Sequence, residues 1–504
     1  SLGIHPKQVE DKDQAAKKIS KALGMNYSEL RTKLSTPQPF TWIKRQITAG
    51  EKAAVETLEQ PGVVFVPDPR RFYPQRTLAA QVIGFSGLDS GGLEGIECSY
   101  NSYLQGKEVK VEILRDAKGR GFKPANGMAA DTAGCDVVLT IDEKIQVTTE
   151  KALEQAVTEF NGESGIAIVM EPKTGAILAM AHYPTFNPNT YDKFKPDTWR
   201  NRAISDTYEP GSTMKIFTAS AAVESGLLNP TSSFYCEEGK YRIGGATIHD
   251  THKYGTLTLS DIVKYSSNIG AAKVADAIGN KTLGKRLMTF GFGQKLGIDC
   301  PGETTGRLRS YTRWKPIEMA TIAFGQGISV SALQIITATS AIANGGYLMQ
   351  PFLVKAITDT NGRLIRKTEP KVIQQVLSEK TAYSIRQMMK SVVEPEGTGT
   401  NAKMDGYTVG GKTGTAQKVG AEGRYESGAF VASFIGMIPN DNPAAVILVL
   451  VDEPRPRHYG GTVAAPAFKR IAEDLTLHLN IRPDTQIPPP KAMVKTASVR
   501  GGAN

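Results

Sequence analysis

The sequence predicts a multidomain α+β protein, and three observations support this fold class. The chain has 504 residues, and at roughly 150 residues per domain this length corresponds to about two to four domains. The sequence pattern changes near residue 136, from loop-rich with short scattered elements to compact and periodic. Beyond that point, strand-like segments lie at both ends of the region and helical segments fill its middle. Strands and helices that occupy separate stretches of a chain are typical of α+β architectures.

Residues 1–135 are predicted to form a mixed structural module. Residues 11–34 carry apolar side chains at helical spacing. That stripe consists of Ala15, Ile19, Leu23 and Leu30. The other elements expected here are a helix at 43–58 and short strands at 63–66, 84–95 and 108–114. This region contains no set of catalytic side chains, which favours a structural role.

The region from residue 136 onward is predicted to combine a sheet with helices. Asp142 precedes a long helical segment and is suited to cap it. The predicted strands are 137–140, 165–170, 176–180, 407–419, 430–438 and 444–452, and the predicted helices are 142–160, several in a middle that ends near 344, and 463–479. The tail from residue 483 is rich in Pro and Lys and is predicted to be disordered.

The composition argues against several classes of protein. Lys and Arg number 60 and Asp and Glu 50, a net charge of +10, but the basic residues are dispersed and nucleic-acid binding is not predicted. The four cysteines contain no Cys-x-x-Cys pair, which excludes zinc ribbons and thioredoxin-like sites. No run of 18 apolar residues occurs, so no membrane span is predicted. Because the chain begins at Ser1 without a signal peptide, we expect a processed or truncated chain.

Two motifs match other kinds of site only formally, and a third pattern is missing. The residues from Gly406 to Thr413 match a phosphate-binding loop, but no buried strand precedes them and no helix follows, so an ATPase is not supported. His249 and His252 are spaced like two metal ligands, yet no third His or Cys lies nearby, and a surface or loop-packing role is favoured. The Gly-x-Ser-x-Gly elbow of α/β-hydrolases is absent.

The segment from Tyr208 to Phe217 carries a nucleophile pattern. Pro210-Gly211 ends the preceding element, and residues 212–224 have helical character. Ser212 and Lys215 are three residues apart and therefore share one helix face. The first turn of a helix favours developing negative charge. A buried lysine loses solvation, so its neutral amine becomes available to accept the serine proton.

Two further motifs follow in a diagnostic order. Ser266-Ser267-Asn268 lies between helical segments at 259–265 and 271–278, and Lys412-Thr413-Gly414-Thr415 lies on a predicted strand. The order Ser-x-x-Lys, Ser-x-Asn, Lys-Thr-Gly resembles that of penicillin-binding proteins and serine β-lactamases. From residue 136 to about 479 the chain resembles the transpeptidase domain of class B penicillin-binding proteins.

The surroundings of the motifs extend this resemblance to nearly the whole chain. Four segments resemble the transpeptidase domain: Tyr208-Glu209-Pro210-Gly211, Gly325-Gln326-Gly327, Ala343-Asn344-Gly345-Gly346 and Val409-Gly410-Gly411. Two segments nearer the start of the chain resemble the class B pedestal: Arg71-Phe72-Tyr73-Pro74 and Gly92-Leu93-Glu94-Gly95-Ile96-Glu97. The resemblance implies an elongated, non-catalytic dimerisation or partner-binding pedestal at 1–135, incomplete at its start. It implies a transpeptidase domain at 136–482, with a five-stranded antiparallel sheet flanked by helices as in serine β-lactamases, and a tail at 483–504.

The resemblance also implies the chemistry of the first two motifs. Ser212 would attack the penultimate D-Ala carbonyl of a peptidoglycan stem peptide, release D-alanine and form an acyl-enzyme. Lys215 would be the general base. Ser266 would pass the proton towards the leaving amine, and Asn268 would position Lys215 and the substrate amide.

The third motif would bind the donor. Lys412 would supply positive potential, and the hydroxyls of Thr413 and Thr415 would hold the terminal carboxylate. The backbone N–H groups of Ser212 and Thr415 would form the oxyanion hole. We expect Gly414 to be glycine because a side chain there would block a substrate lying along the strand. No metal or organic cofactor is expected.

Further expectations concern partners and location. The resemblance implies peptidoglycan stem peptides as donor and amine acceptor, β-lactam antibiotics as acylating inhibitors, and a membrane-embedded septal glycan polymerase with other division proteins as partners. It implies a single-pass inner-membrane protein whose ectodomain faces the periplasm and whose anchor is absent from this chain.

Alternatives remain within and outside this family. The Ser-Ser-Asn motif and the Tyr459-Gly460-Gly461 context resemble division-type enzymes, whereas elongation-type class B transpeptidases usually carry Asp at the third position of the middle motif. A serine β-lactamase is about half as long, lacks a pedestal and hydrolyses its acyl-enzyme quickly. A β-lactam sensor would form an acyl-enzyme without turning over a stem peptide.

Overall fold

The computed structural model of the chain describes residues 1–68, 70–106, 133–420 and 425–486. Its first part consists of β1 (Leu2–Ile4), α1 (Lys12–Leu23), α2 (Tyr27–Ser35), β2 (Thr41–Lys44), α3 (Ala49–Glu56), β3 (Val63–Phe65), α4 (Ala80–Ile83), α5 (Gly95–Ser99) and α6 (Asn101–Leu104). The strands form an antiparallel sheet in the order β2-β1-β3. The predicted apolar stripe of α1 and α2 is buried against this sheet.

Several predicted boundaries in the first part are wrong. The predicted helix at 11–34 is two helices, because Gly24 adopts the left-handed conformation that ends α1 and the Asn26 side chain caps α2. The predicted helix at 43–58 starts later, because residues 41–44 pair with β1 and a Thr48–Glu51 capping box begins α3.

Residues 84–95 were predicted to contain short strands, but they form loops next to short helices. Ser86 and Gly92 make a single bridge there, and glycine is required where Gly84 contacts the Glu94 backbone, since a Cβ would lie 1.8 Å from the Glu94 carbonyl oxygen. The strand predicted at 108–114 lies outside the described residues. So does the tail predicted to be disordered, apart from residues 483–486.

The two segments that resemble pedestal motifs lie together, and Tyr73 of the first and residues near both of them contact the second part of the chain. Arg71 Nε is 2.8 Å from Glu97 Oε1. Phe85 is buried against Phe186, with ring centroids 5.9 Å apart, and the Tyr100 hydroxyl donates to Asp299. The pedestal is therefore anchored on the following domain by apolar and polar contacts.

The second part supplies the remaining elements. They are β4 (Asp136–Leu139), α7 (Glu143–Glu159), β5 (Ser164–Met170), β6 (Ile177–Tyr183), α8 (Arg202–Ser205), α9 (Lys215–Glu224), β7 (Ser233–Tyr235), β8 (Lys240–Ile243), β9 (Ala246–His249), β10 (Thr256–Thr258), α10 (Leu259–Tyr265), α11 (Asn268–Thr289), α12 (Pro316–Ala323), α13 (Ala332–Ala343), β11 (Tyr347–Met349), β12 (Val354–Thr358), β13 (Leu364–Lys367), β14 (Val372–Gln375), α14 (Glu379–Val393), β15 (Gly410–Val419), β16 (Tyr425–Ile438), β17 (Ala445–Asp452), α15 (Gly460–Val463) and α16 (Ala465–His478).

The centre of this part is a five-stranded sheet in the order β15-β16-β17-β5-β6, formed by described residues that all pair antiparallel. Along β17, Ile447, Val449 and Val451 pack against α7 and α16, whereas the alternate residues face the core that contains α9, α11 and α13. Side chains of a strand alternate between faces, so both faces of the sheet are covered by helices. The predicted α+β class and five-stranded antiparallel sheet are confirmed.

Some elements of the second part differ from the prediction. The middle contains short two-stranded sheets, such as β7 with β10, in addition to helices. The strand predicted at 137–140 exists as β4, but it pairs with β12 instead of joining the central sheet. The helix predicted at 463–479 is interrupted at Ala464. Within the described residues, no helix combines the length and apolar character that crossing a membrane requires.

Candidate active site

The nucleophile motif lies on a tight turn. Residues Gly211–Met214 form a 3-10 turn that leads directly into α9, so Ser212 lies one turn ahead of the α-helix. Gly211 has a φ of +54° and donates its N–H to the Gly325 carbonyl at 3.0 Å. A Cβ on Gly325 would lie 2.1 Å from the Gly211 carbonyl oxygen. This close backbone contact fixes the position of Ser212.

Lys215 is buried, with 1% of its surface exposed, and its amine lies at the centre of the first two motifs. Its Nζ is 3.0 Å from Ser212 Oγ, 3.1 Å from Ser266 Oγ and 2.7 Å from Asn268 Oδ1. Burial lowers the pKa of Lys215 to about 7, against the opposing effect of the Asp250 carboxylate. A neutral amine within hydrogen-bond distance of Ser212 is therefore available at neutral pH.

The middle motif lies at the junction of α10 and α11. Ser266 adopts the left-handed conformation, with a φ of +63°, and ends α10. The Ser267 hydroxyl accepts from the Gly270 N–H at 2.8 Å and caps α11, which starts at Asn268, three residues before the predicted start. The sharp reversal at Ser266 places its hydroxyl and the Asn268 amide on the same side, towards Lys215.

Lys412 approaches the same hydroxyl from the sheet. Its Nζ is 2.9 Å from Ser266 Oγ and 3.2 Å from the Thr413 carbonyl oxygen. Burial and the neighbouring Lys215 amine lower the pKa of Lys412. Ser266 Oγ thus lies between two amines that destabilise each other's charge, an arrangement suited to moving a proton between them.

The third motif lies on β15, at the edge of the sheet. Thr413 Oγ1 is 2.9 Å from Thr398 Oγ1, and Thr415 Oγ1 accepts from the Gly460 N–H at 3.2 Å. Because the Thr415 oxygen accepts from Gly460, its own proton remains available for a ligand. An edge strand also presents backbone groups to which a peptide can add as a further strand.

The reason for glycine at position 414 differs from the prediction. A Cβ there would lie 2.2 Å from Ser433 Oγ and 3.0 Å from Thr213 Cγ2. The clash is therefore with the neighbouring strand and the nucleophile turn, not with a substrate along the strand edge. Gly414 allows the Ser212 turn to pack directly against β15.

Asp250 is a site residue that the sequence analysis assigned only to a loop-packing segment. Its carboxylate accepts from the Ser267 hydroxyl at 2.6 Å and from the backbone N–H groups of Asn268 and Ile269. The Asn268 side-chain amide in turn donates to the His249 carbonyl at 3.0 Å. The segment that resembled a pair of metal ligands therefore holds the middle motif. No local pattern indicates this, because Asp250 and Asn268 are 18 residues apart.

Replacement of Asp250 by asparagine is expected to slow acylation by a penicillin about tenfold. The new amide NH2 group would face the Ser267 hydroxyl or the backbone N–H groups, which are donors themselves, so a hydrogen bond that holds the middle motif is lost. It is also expected to move the pH inflection of acylation below the wild-type value, since the carboxylate favours the charged form of Lys215. Stopped-flow acylation rates measured against pH test both effects. Asp276→Asn, at an exposed position on α11, is the matched control. A slower rate with an unmoved inflection would show that Asp250 has only a structural role.

Comparison with known proteins agrees with this geometry. The family described as "Penicillin binding protein transpeptidase domain" matches residues 165–473, and "Penicillin-binding Protein dimerisation domain" matches residues 1–139.

Three curated relatives align with most of the chain. Stage V sporulation protein D of Bacillus subtilis is 37% identical over 95% of this chain and 75% of its own length. The probable peptidoglycan D,D-transpeptidase PenA of Neisseria meningitidis is 35% identical over 99% of this chain and 84% of its own length. The peptidoglycan D,D-transpeptidase FtsI of Escherichia coli is 32% identical over 96% of this chain and 81% of its own length.

Solved structures are similar as well. Penicillin-binding protein 3 of Mycobacterium tuberculosis, complexed with aztreonam, has a TM-score of 0.73 and 32% identity, covering 86% of this chain and 93% of that chain. The transpeptidase domain of Burkholderia pseudomallei penicillin-binding protein 3 has a TM-score of 0.61 and 38% identity, and the match covers 69% of this chain and 98% of that chain. The protein therefore belongs to the penicillin-binding proteins that carry a dimerisation domain ahead of a transpeptidase domain.

Proposed function

We propose that this protein is a serine-type peptidoglycan D,D-transpeptidase that crosslinks stem peptides at the division septum and is acylated by β-lactams. The observation that carries this proposal is the buried Lys215 amine, 3.0 Å from Ser212 Oγ and 2.7 Å from Asn268 Oδ1, with its pKa lowered to about 7. The similarity to the peptidoglycan D,D-transpeptidases PenA and FtsI supports the reaction. The Ser266-Ser267-Asn268 motif and the Tyr459-Gly460-Gly461 context support the septal role.

Acylation starts with proton transfer from Ser212 to the neutral Lys215 amine. Ser212 Oγ then attacks the carbonyl carbon of the penultimate D-Ala, and the backbone N–H groups of Ser212 and Thr415 stabilise the tetrahedral oxyanion. Losing one such donor costs about 100- to 1000-fold in rate. Ser266, which lies between Lys215 and Lys412, passes a proton to the leaving nitrogen, and D-alanine departs as the C–N bond breaks.

Deacylation reverses the roles of the groups. The acceptor amine attacks the Ser212 ester and gives up a proton through Ser266 to Lys215, as microscopic reversibility requires. The new amide bond forms, the ester bond breaks, and Ser212 recovers its proton. The product is a crosslinked pair of stem peptides, and all groups used are side chains or backbone N–H groups of this chain.

The donor's terminal carboxylate binds at β15. Thr415 has a hydroxyl proton to donate, because its oxygen already accepts from Gly460, and Thr413 supplies a second hydroxyl. The carboxylate raises the pKa of Lys412 when it arrives, since an opposite charge favours the ammonium form. Substrate binding thus moves a proton onto Lys412 and leaves Lys215 neutral as the base.

We extend the proposal to the organisation of the chain. Residues 1–135 serve as the pedestal, residues 136–482 as the transpeptidase domain and residues 483–504 as a tail. The pedestal contacts a membrane-embedded septal glycan polymerase, and the catalytic domain works on the periplasmic side of the inner membrane. The matches of one family to residues 165–473 and of another to residues 1–139 support this division of roles.

A turnover assay tests the proposed reaction. The chain is incubated with a pentapeptide donor ending in D-Ala-D-Ala and with an amine acceptor, and the products are measured by mass spectrometry. We expect D-alanine release together with a product in which the tetrapeptide acyl group is joined to the acceptor amine, and a penicillin adduct that persists for many turnover times. Rapid hydrolysis of penicillin without crosslinking would identify a β-lactamase. A stable penicillin adduct without peptide turnover would identify a sensor.

A further inference from the structure

A ribbon of two strands, β8 and β9, lies next to the middle motif and carries basic side chains on its outer face. The strands pair antiparallel, with Lys240 opposite His249 and Arg242 opposite Thr247. Side chains that lie directly opposite one another share one face of such a pair. These four residues are exposed, whereas Ile248 on the other face is buried in the core. The ribbon thus has an apolar inner face and a basic outer face.

A third cation joins the ribbon from the loop that follows β9. A Cβ on Gly239, the residue before Lys240, would lie 3.5 Å from Lys253 Cα. The Glu238 N–H also donates to the Tyr254 carbonyl at 3.1 Å. Lys253 is therefore held beside the start of β8, and it is exposed. The ribbon cations are accordingly Lys240, Arg242 and Lys253.

The ribbon cations are not neutralised by neighbouring carboxylates. Glu237 pairs with Lys273, and Asp250 accepts hydrogen bonds from the middle motif. Glu238 is exposed next to the ribbon, but within the described part of the chain no ion pair joins any ribbon cation to an acidic side chain. Three cations against one carboxylate leave this surface with a net positive charge, which suits an anionic ligand.

A short series of contacts joins the ribbon to the nucleophile. The His249 carbonyl accepts from Asn268 Nδ2 at 3.0 Å, Asn268 Oδ1 lies 2.7 Å from Lys215 Nζ, and that amine lies 3.0 Å from Ser212 Oγ. The ribbon forms a sheet of its own, separate from β15. A ligand on the ribbon therefore lies close to Ser212 without occupying the strand proposed for the donor.

We propose that the outer face of the β8–β9 ribbon binds the carboxylates of the acceptor stem peptide while the acceptor amine attacks the Ser212 ester. The inference rests on the proposed transpeptidase function and assigns the second substrate to a surface away from β15. Lys240 and Arg242 are the main contacts, and Lys253 lies beside them. These residues determine which acceptor binds and take no part in the proton transfers.

The charge and length of an acceptor fit this surface. A stem peptide ends in a carboxylate and can carry others on its side chains. Ammonium and guanidinium groups bind carboxylates through charge-assisted hydrogen bonds, which are stronger than neutral ones. An extended peptide advances about 3.3 Å per residue, so a few residues suffice to extend from an amine at Ser212 to the ribbon. An acceptor without carboxylates lacks these contacts and is bound more weakly.

Two acceptor tetrapeptides with the same attacking amine test the proposal, one with free carboxylates and one with carboxamides in their place. Crosslinked product is measured by mass spectrometry against acceptor concentration, at a fixed concentration of pentapeptide donor. We expect the wild type to reach its half-maximal rate at an about tenfold lower concentration of the free-carboxylate acceptor. Added NaCl is expected to reduce this difference, since salt screens exposed charges. Combining Lys240→Gln with Arg242→Gln is expected to abolish the difference and to leave the maximal rate unchanged.

A matched control removes the same charge elsewhere. Lys281→Gln combined with Lys285→Gln, at exposed positions on α11, is expected to keep the difference between the two acceptors. Benzylpenicillin acylation is expected to be unchanged in both double variants, which verifies that they are folded and that the nucleophile is intact.

The outcomes separate the acceptor surface from the reaction itself. Equal half-maximal concentrations for the two acceptors in the wild type would overturn the ribbon site and leave the transpeptidase function standing. So would a difference that survives the ribbon variant, or one that the α11 variant also loses. Benzylpenicillin acylation without crosslinking to either acceptor would overturn the transpeptidase function, and this inference with it.

Discussion

Replacement of Ser212 by alanine is expected to abolish covalent labelling by penicillin, because the hydroxyl oxygen that forms the ester is removed. Intact-mass measurement after incubation with benzylpenicillin, followed by peptide mapping, checks this result. The wild type is expected to gain one adduct, located on Ser212. Peptide crosslinking by the variant is expected to fall at least about 10⁴-fold, as for other enzymes that lose a nucleophile.

The helix that follows the nucleophile turn provides a matched control for this replacement. Ser220 is buried on α9 and its hydroxyl donates to the Ile216 carbonyl at 2.7 Å. Ser220→Ala is therefore expected to keep the adduct, since it removes a buried hydroxyl without touching the site. An adduct that persists in Ser212→Ala would assign the nucleophile to another residue. No adduct in a folded wild-type protein would contradict the acyl-enzyme mechanism.

Replacement of Lys215 by methionine is expected to slow acylation by about 100- to 10⁴-fold, the usual contribution of a general base. The pH dependence distinguishes this role from a structural one. Because the pKa of Lys215 is lowered to about 7, the amine is protonated below that pH and cannot accept the Ser212 proton. The wild-type rate is expected to fall about tenfold per pH unit below the inflection and to level off above it. The variant is expected to lose this inflection.

Lys281→Met serves as the comparison, because Lys281 is exposed on α11. It is expected to keep both the rate and the inflection, and thermal unfolding of Lys215→Met shows whether that variant is folded. A folded Lys215→Met protein with an unchanged pH profile would move the base to another group. Lys412 would then be the next candidate, since its amine reaches the same Ser266 hydroxyl.

The central architecture and the proximity of the motif residues could be predicted from the sequence, because both follow from local patterns. Apolar runs such as 444–452 mark buried strands, and β17 is found at Ala445–Asp452. Ser212 and Lys215 are three residues apart, and their side chains meet whether the turn is a 3-10 or an α-helical one. The structure also places Ser266 and Asn268 at the Lys215 amine, and the Lys412 amine contacts the same Ser266 hydroxyl.

Features that depend on contacts between distant segments could not be predicted. Asp250 holds the middle motif through bonds to residues 17 to 19 positions away, and no spacing rule connects them. The reason for glycine at position 414 depends on Ser433 of the neighbouring strand. In the pedestal, the sequence pattern interprets Gly84 and Gly95 as breaks between strands. In the structure both glycines instead allow two backbone segments to approach closely, since a Cβ on either would clash with a carbonyl oxygen of the other segment.

The backbone conformation at Ser266 lowers the stability of the fold but places a hydroxyl where the proposed reaction needs one. A residue other than glycine in the left-handed conformation is destabilised by about 1 kcal/mol or more, and Ser266 holds this conformation at a φ of +63°. Glycine would relieve the strain, but it has no hydroxyl to place between the two amines. The fold therefore tolerates a less stable backbone where proton transfer needs an oxygen. Substitutions that stabilise this junction are consequently expected to be poor routes to a better enzyme.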